Sequence, residues 1–207
     1  MIGQKLITKQ TGAGGRMCNA IMLAERREPA HEYYVAVLND RATAGPILVA
    51  SRSGGMNIEE VAHETPELIL TSPIDFTVGV TDAQAAKLAA DLGFSTEKAR
   101  AQAAGIFQNL YKIFQEKDAT QIEINPLSEC TDGEVLCMDA KFGFDDNAEF
   151  RQKDIFSLRD ISQEDPQEVE AATYNLNFIK FPIISRPVTL VVAHSVGKSS
   201  VDENVSA

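Results

Sequence analysis

Gln121–Phe144, QIEINPLSECTDGEVLCMDAKFGF, decides the fold. Gln121-Ile-Glu-Ile-Asn125 and Cys137-Met-Asp-Ala-Lys-Phe142 both alternate polar with apolar residues. Thr131-Asp132-Gly133 between them carries turn chemistry, so the stretch predicts a β-hairpin. A three-residue loop with Gly133 in the left-handed conformation sets Asn125 opposite Asp139 and Glu123 opposite Lys141. Side chains alternate along a strand, which places Glu123, Asn125, Asp139 and Lys141 on one face and Ile122, Ile124, Leu136, Met138, Ala140 and Phe142 on the other. The second face is the expected core. On the first, an amide oxygen stands across from a carboxylate, a pairing that suits a hard cation such as Mg2+, which takes few protein oxygens and fills its shell with water and phosphate. Alternation alone also describes a merely solvated face, the commoner case on antiparallel sheets.

The 207-residue chain is long enough for one sizeable core with a small appendage. Its 44% hydrophobic and 24% charged residues are ordinary for a globular protein, and no apolar run approaches a membrane span. A net charge of -11 argues against nucleic acid as a partner, because phosphate contact needs clustered Lys and Arg. Cys18, Cys130 and Cys137 have no metal-ligand spacing and fit a reducing compartment better than a disulfide framework. The start, Met1-Ile-Gly-Gln-Lys5, shows neither a secretory core nor a transit-peptide pattern.

Upstream of the hairpin, Ala20–Glu25, Glu32–Leu38 and Pro46–Ser51 read as strands of a meander. Thr11-Gly-Ala-Gly-Gly15 lacks the spacing of a nucleotide loop and reads as a surface turn. Asn57–Glu64 reads as a short helix with Ile58, Val61 and Ala62 inward, stopped by Pro66, and Leu68–Leu70 as a short strand. His63 has no partner at ligand spacing and belongs on the surface. Thr81 with Gln84 starts a helix that Gly93 stops, and Thr96–Lys117 is a second, with Ala99, Ala103, Ile106, Leu110, Ile113 and Phe114 as its core stripe. Both helices should pack on the apolar side of the hairpin and leave Glu123, Asn125 and Asp139 towards a cleft.

Downstream, Asp145-Asp-Asn147 lacks the Gly and closing Glu of a calcium loop and reads as a turn. Asp165-Pro-Gln-Glu168 starts a helix running to about Asn175, its inner side carrying Val169, Ala172, Tyr174 and Leu176. Val188–Ala193 has the composition of a strand, and residues 197–207 that of a disordered tail. Gly197-Lys-Ser199 has Val192 where a P-loop needs Gly, and His194 has no nucleophile arrangement around it.

Glu123-Ile-Asn-Pro-Leu127, Met138-Asp-Ala-Lys141 and Asn147-Ala-Glu-Phe-Arg-Gln152 resemble the closing part of the ATP-grasp domain of succinate–CoA ligase (succinyl-CoA synthetase) β subunits, and the likeness runs from about Ile2 to Lys180. The resemblance implies an α+β fold class: a partial ATP-grasp fold over 1–180, an antiparallel sheet packed with helices, followed by a divergent tail over 181–207. The flavodoxin-like CoA-ligase domain that follows in the family is not expected in this chain.

By the same resemblance Asn125 and Asp139 match Mg2+ ligands, and Glu123 matches the catalytic glutamate that steadies a phosphohistidine of the α subunit. Glu25 and Glu32, with Glu28 as a weaker match, fall where the nucleotide's base and ribose lie. The cofactor is then Mg2+, the nucleotide ATP or GTP, the partner an α subunit, and the compartment mitochondrial. Complete enzymes of the family join succinate to CoA in the tricarboxylic acid cycle. This chain lacks the upstream phosphate-binding stretch and is expected to be a fragment inactive alone. A non-catalytic interaction module or truncated splice product, and a related ligase acting on malate or citrate with CoA, stay open at this point.

Overall fold

The loop forms as its chemistry requires. In the computed structural model Gly133 sits at φ +80° and donates its N–H to the Cys130 carbonyl at 2.9 Å, while the Cys130 N–H donates to Glu134 at 2.8 Å. The structure describes residues 1–8, 11–174, 176–181 and 188–193, which fall into two units. In the first, Met1–Met22 with the chain from Leu158 onward, β1 (Lys5–Leu6) and β2 (Arg16–Met17) pair antiparallel around the glycine-rich turn.

The second unit, Leu23–Ser157, carries the site. Its elements are β3 (Pro29–Asp40), β4 (Gly45–Ser51), α1 (Ile58–Glu64), β5 (Ile69–Pro73), α2 (Asp82–Leu92), α3 (Glu97–Glu116), β6 (Ala119–Cys130), β7 (Val135–Cys137), β8 (Ala140–Phe144) and α4 (Lys153–Phe156). The strands make one antiparallel sheet in the order β5-β4-β3-β6-β7, with β8 also beside β6.

Helix starts follow the side-chain oxygens that satisfy the first free N–H groups: Thr81 accepts from Gln84 N–H at 3.2 Å and Thr96 from Ala99 N–H at 3.0 Å. Helices α2 and α3 cover one face of the sheet. Val35, Val37, Leu48, Ala50, Ile122 and Ile124 meet Leu88, Leu92, Ala99, Ala103, Phe107 and Leu110 there in a single core. Each large side chain buried in it contributes about 1.5–3 kcal/mol relative to exposure.

The expected register holds along the hairpin: Leu127 stands opposite Cys137, Glu123 opposite Lys141, and Asn125 donates its N–H to the Asp139 carbonyl at 3.1 Å. The expected faces do not. Against β3, Tyr33 pairs with Leu127 and Val35 with Ile124, so Asn125 and Pro126, joined by a cis peptide, together oppose Tyr34. This extra residue is a β-bulge, and it changes which parity points at the helices. Ile122 and Ile124 are buried before it, and Leu127, Glu129 and Val135 after it. Leu136 is half-buried, while Met138, Ala140 and Phe142 are exposed rather than core, because β8 is an edge strand.

Other departures have similarly local causes. Ala20–Glu25 is irregular and exposed, not a strand; its apolar composition supplies propensity, but no ladder partner lies beside it among the described residues. In α3 the stripe is wider than expected: Phe107 and Tyr111 are buried beside Ala99, Ala103, Leu110 and Phe114, Ile106 packs against that core half-buried, and Ile113 is exposed. In α1 Val61 is buried as expected, but Ala62 is exposed. The strand expected at 68–70 begins one residue later, because Pro66–Leu68 closes into a single 3-10 turn.

In the first unit, α5 (Pro166–Thr173) is capped by Asp165, which accepts from Gln167 N–H at 2.9 Å. Leu176 is not part of it and begins β9 (Leu176–Phe181), which pairs with β10 (Val188–Ala193). β9 runs through residues 180 and 181, and β10 coincides with Val188–Ala193, the stretch with the composition of a strand. His194 and residues 197–207 lie outside the described residues. Among the described residues no helix is long and apolar enough to cross a membrane.

Candidate functional site

Beside the bulge, the sheet face turned away from α2 and α3 collects polar groups. Glu123 pairs with Ala36, whose neighbours Val35 and Val37 point into the core, so Glu123 points the other way. Lys141 lies directly across the ladder from it, with the ammonium 3.8 Å from the carboxylate. The Glu123 side chain is only 13% exposed, whereas Lys141 is 62% exposed. An ion pair so loose and half in water contributes about 0–1 kcal/mol, which leaves Glu123 with acceptor capacity to spare.

Tyr34, 3% exposed, occupies the same face opposite the bulge. Burial, and then the charge of Glu123, push its phenol up to about 12. It is therefore a hydroxyl donor at any physiological pH, and among the described residues it has no hydrogen-bond partner.

Asn125 and Asp139 stand opposite each other as expected, but the Asn125 amide is already engaged. Its Oδ1 accepts from Gly55 N–H at 2.6 Å and its Nδ2 donates to the Met56 carbonyl at 2.9 Å. Asp139 is exposed. Among the described residues no group of three or more His, Cys, Asp or Glu gathers as a metal cage. A two-oxygen site is a different case, since Mg2+ keeps several waters and phosphate oxygens. The Asn125 oxygen retains a second lone pair and Asp139 offers a free carboxylate, so this donor set fits the ion.

The three expected nucleotide contacts separate into two places. Glu32 lies in β3 with its carboxylate beside Gly55, where an added Cβ would stand 2.9 Å from Oε2, so Glu32 and Asn125 reach the same turn. Glu28 precedes β3, and its carbonyl accepts from Thr131 N–H at 3.0 Å near the hairpin loop, about 13 Å along the chain from Glu32. Glu25 is exposed on the irregular stretch before it. Arg27, next to Glu28 in sequence, is taken by Asp132 at 2.6 Å.

Two sets of polar residues escaped the sequence reading. Glu129, 2% exposed, accepts from Ser95 N–H at 3.1 and 3.2 Å, from the Ser95 hydroxyl and from the Tyr33 hydroxyl at 3.3 Å. Burial, and then Glu129's charge, raise the Tyr33 phenol to about 12. Only the parity change at the bulge reveals that Glu129 faces inward. The second set explains a motif. Arg151 grips Asp118 through two bonds of 2.8 and 2.6 Å, and Gln152 donates to Asp118 at 2.7 Å and to the Glu116 carbonyl at 2.9 Å. Those bonds hold the Asp118 carboxyl down at about 2, Arg151 contributing most. The end of Asn147–Gln152 thus ties down the α3–β6 corner and does not line the site.

Comparison with known proteins adds three findings. Residues 1–129 match the family of ATP-grasp domains. The chain is 62% identical over 180 residues to the mitochondrial ADP-forming succinate–CoA ligase subunit beta of Neurospora crassa, covering 87% of this chain and 40% of that protein. It is 58% identical over 180 residues to the hydrogenosomal ADP-forming subunit beta of Neocallimastix frontalis, covering 86% and 41%. It is 51% identical over 179 residues to the mitochondrial GDP-forming subunit beta of Dictyostelium discoideum, covering 86% and 42%. The chain thus spans about two fifths of the length of these curated relatives. Among solved structures, ATP citrate lyase from Methanothrix soehngenii, in complex with citrate and coenzyme A, superposes with a TM-score of 0.54 at 20% identity, over 74% of this chain and 36% of that one, a likeness of fold alone.

Proposed function

We propose, from the premise that the chain belongs to the ATP-grasp family, that it carries the nucleotide and Mg2+ half-site of a succinate–CoA ligase β subunit. The observation that carries this reading is the cross-strand set Glu123, Asn125, Asp139 and Lys141 beside the bulge of β6, in a chain whose relatives are named as such subunits. The proposed reaction joins succinate to CoA at the expense of ATP or GTP, inside the mitochondrion, as one step of the tricarboxylic acid cycle.

Phosphoryl transfer asks a protein mainly for position and charge balance. Glu25 and Glu32, with Glu28 a weaker match, are the residues that would contact the nucleotide. Asn125 and Asp139 are the residues that would hold Mg2+, which neutralises charge on phosphoryl oxygens when bound. Glu123 accepts a hydrogen bond from the imidazole of an α-subunit phosphohistidine and so fixes its tautomer. Lys141, across the ladder, faces Glu123 only loosely and leaves its carboxylate open to that contact. The relatives are named as subunits, so turnover belongs to an assembly and the chain alone is inactive.

Titration calorimetry of the chain with ADP and GDP, with and without Mg2+, tests the reading. Mg2+-dependent binding is expected, together with no succinyl-CoA formation until the α subunit is added. A chain that binds neither nucleotide in Mg2+ ends the proposal.

A further inference from the structure

The tightest crossing on the site face is the turn Ser53–Met56, which follows β4. A Cβ added at Gly54 would stand 2.4 Å from the Tyr33 carbonyl oxygen and 2.5 Å from the Tyr33 nitrogen, so only glycine lets the turn lie this close to β3. The Gly54 N–H donates to the Glu32 carbonyl at 3.1 Å and anchors the turn on the strand. The next two residues then meet Asn125 with opposite chemistry: Gly55 offers an N–H at 2.6 Å to the side-chain oxygen, and Met56 offers a carbonyl at 2.9 Å to the side-chain nitrogen.

An asparagine amide is nearly symmetric in shape, and only its hydrogen-bond partners decide which end is oxygen. The turn makes that choice here. With the amide reversed, Nδ2 would face the Gly55 N–H and Oδ1 the Met56 carbonyl, donor against donor and acceptor against acceptor, which loses both bonds and leaves like groups in contact.

We propose that the turn Ser53–Met56 is the positioning element for Asn125, locking the orientation of its amide so that the second lone pair of Oδ1 is presented to a divalent cation. The inference rests on the reading of Asn125 as a Mg2+ ligand and adds residues to it that act through Asn125. Ligand-orienting groups of this kind typically set 10–100-fold in metal affinity.

The discriminating variant is Asn125→Asp. It keeps oxygen for the metal and adds a negative charge, so a residue acting as a ligand alone would bind the cation as tightly or more so. With the turn in control, the new oxygen faces the Met56 carbonyl and the orientation is lost. Mn2+ binding to the chain in the presence of ADP, read by the free-ion EPR signal, is expected to weaken about tenfold or more in Asn125→Asp and in Gly54→Ala. Equal or tighter binding by Asn125→Asp overturns the inference and leaves the metal reading standing. If the unaltered chain binds no Mn2+ with ADP, both fall together. A measurement without any variant guards against misfolding: the Asn125 side-chain amide protons should exchange with solvent far more slowly than those of Asn109, exposed on α3, and equal exchange also overturns the inference.

Discussion

Glu123 and Glu129 lie on the same strand, a few residues apart and on either side of one bulge, and the fold treats them in opposite ways. Glu129 is sealed under the helices, and both of its carboxylate oxygens accept bonds, from the Ser95 amide and hydroxyl and from Tyr33. Ser95 also immediately precedes the cap of α3, so the positive end of that helix faces the charge. Glu123 is nearly as enclosed, yet it meets one loose ammonium and a tyrosine hydroxyl that makes no bond to it. A carboxylate that holds a fold together has its lone pairs spent; one kept for a ligand has them in reserve. Exposure alone does not separate the two cases, and the hydrogen-bond inventory does.

The largest way to break this comparison is Glu129→Ala. It leaves Ser95 and Tyr33 as donors without an acceptor in a dry core and opens a cavity, and a loss of about 3 kcal/mol in urea unfolding is expected. A loss below 1 kcal/mol would mean that the buried carboxylate is no better tied than the other one.

Glu123→Ala is the sharper half of the pair. Stability should change by less than about 1 kcal/mol, since only a loose pair is lost. With the α subunit present, phosphoryl transfer should fall sharply while nucleotide affinity is retained. A large drop in stability would place Glu123 with Glu129 as a structural group.

The smallest effect concerns a third carboxylate, Asp118, which is structural like Glu129 but lies at the surface. Its folded pKa is about 2, below the ordinary aspartate value, so its pairing with Arg151 and Gln152 contributes fully above about pH 4. The contribution is lost as pH falls from about 4 to about 2. Asp118→Asn should flatten thermal stability across that window and lower it slightly at neutral pH. An unchanged acid transition would remove Asp118 from the account.

Much of this fold was legible in the chain because its signals are local. The Thr131-Asp132-Gly133 loop fixes its own register, and Thr81, Thr96 and Asp165 each cap a helix with an oxygen a few residues from the N–H it satisfies. The same register sets Asn125 opposite Asp139 and Glu123 opposite Lys141. The faces beyond Pro126 are not legible in the chain, because a bulge is defined by two strands and β3 lies far away in sequence.

The hairpin, its loop, the helix caps and the cross-strand partners are set locally, since each depends on residues within a few positions or on one tight loop. Only the tertiary structure decided that Glu129 faces inward, that Asn125 is gripped by Gly55 and Met56, and that Arg151 and Gln152 serve the Asp118 corner. Those contacts join segments whose separation in sequence carries no periodic signal. The physical reason is that a hydrogen bond needs a donor and an acceptor at one point in space, and packing, not spacing, brings them there.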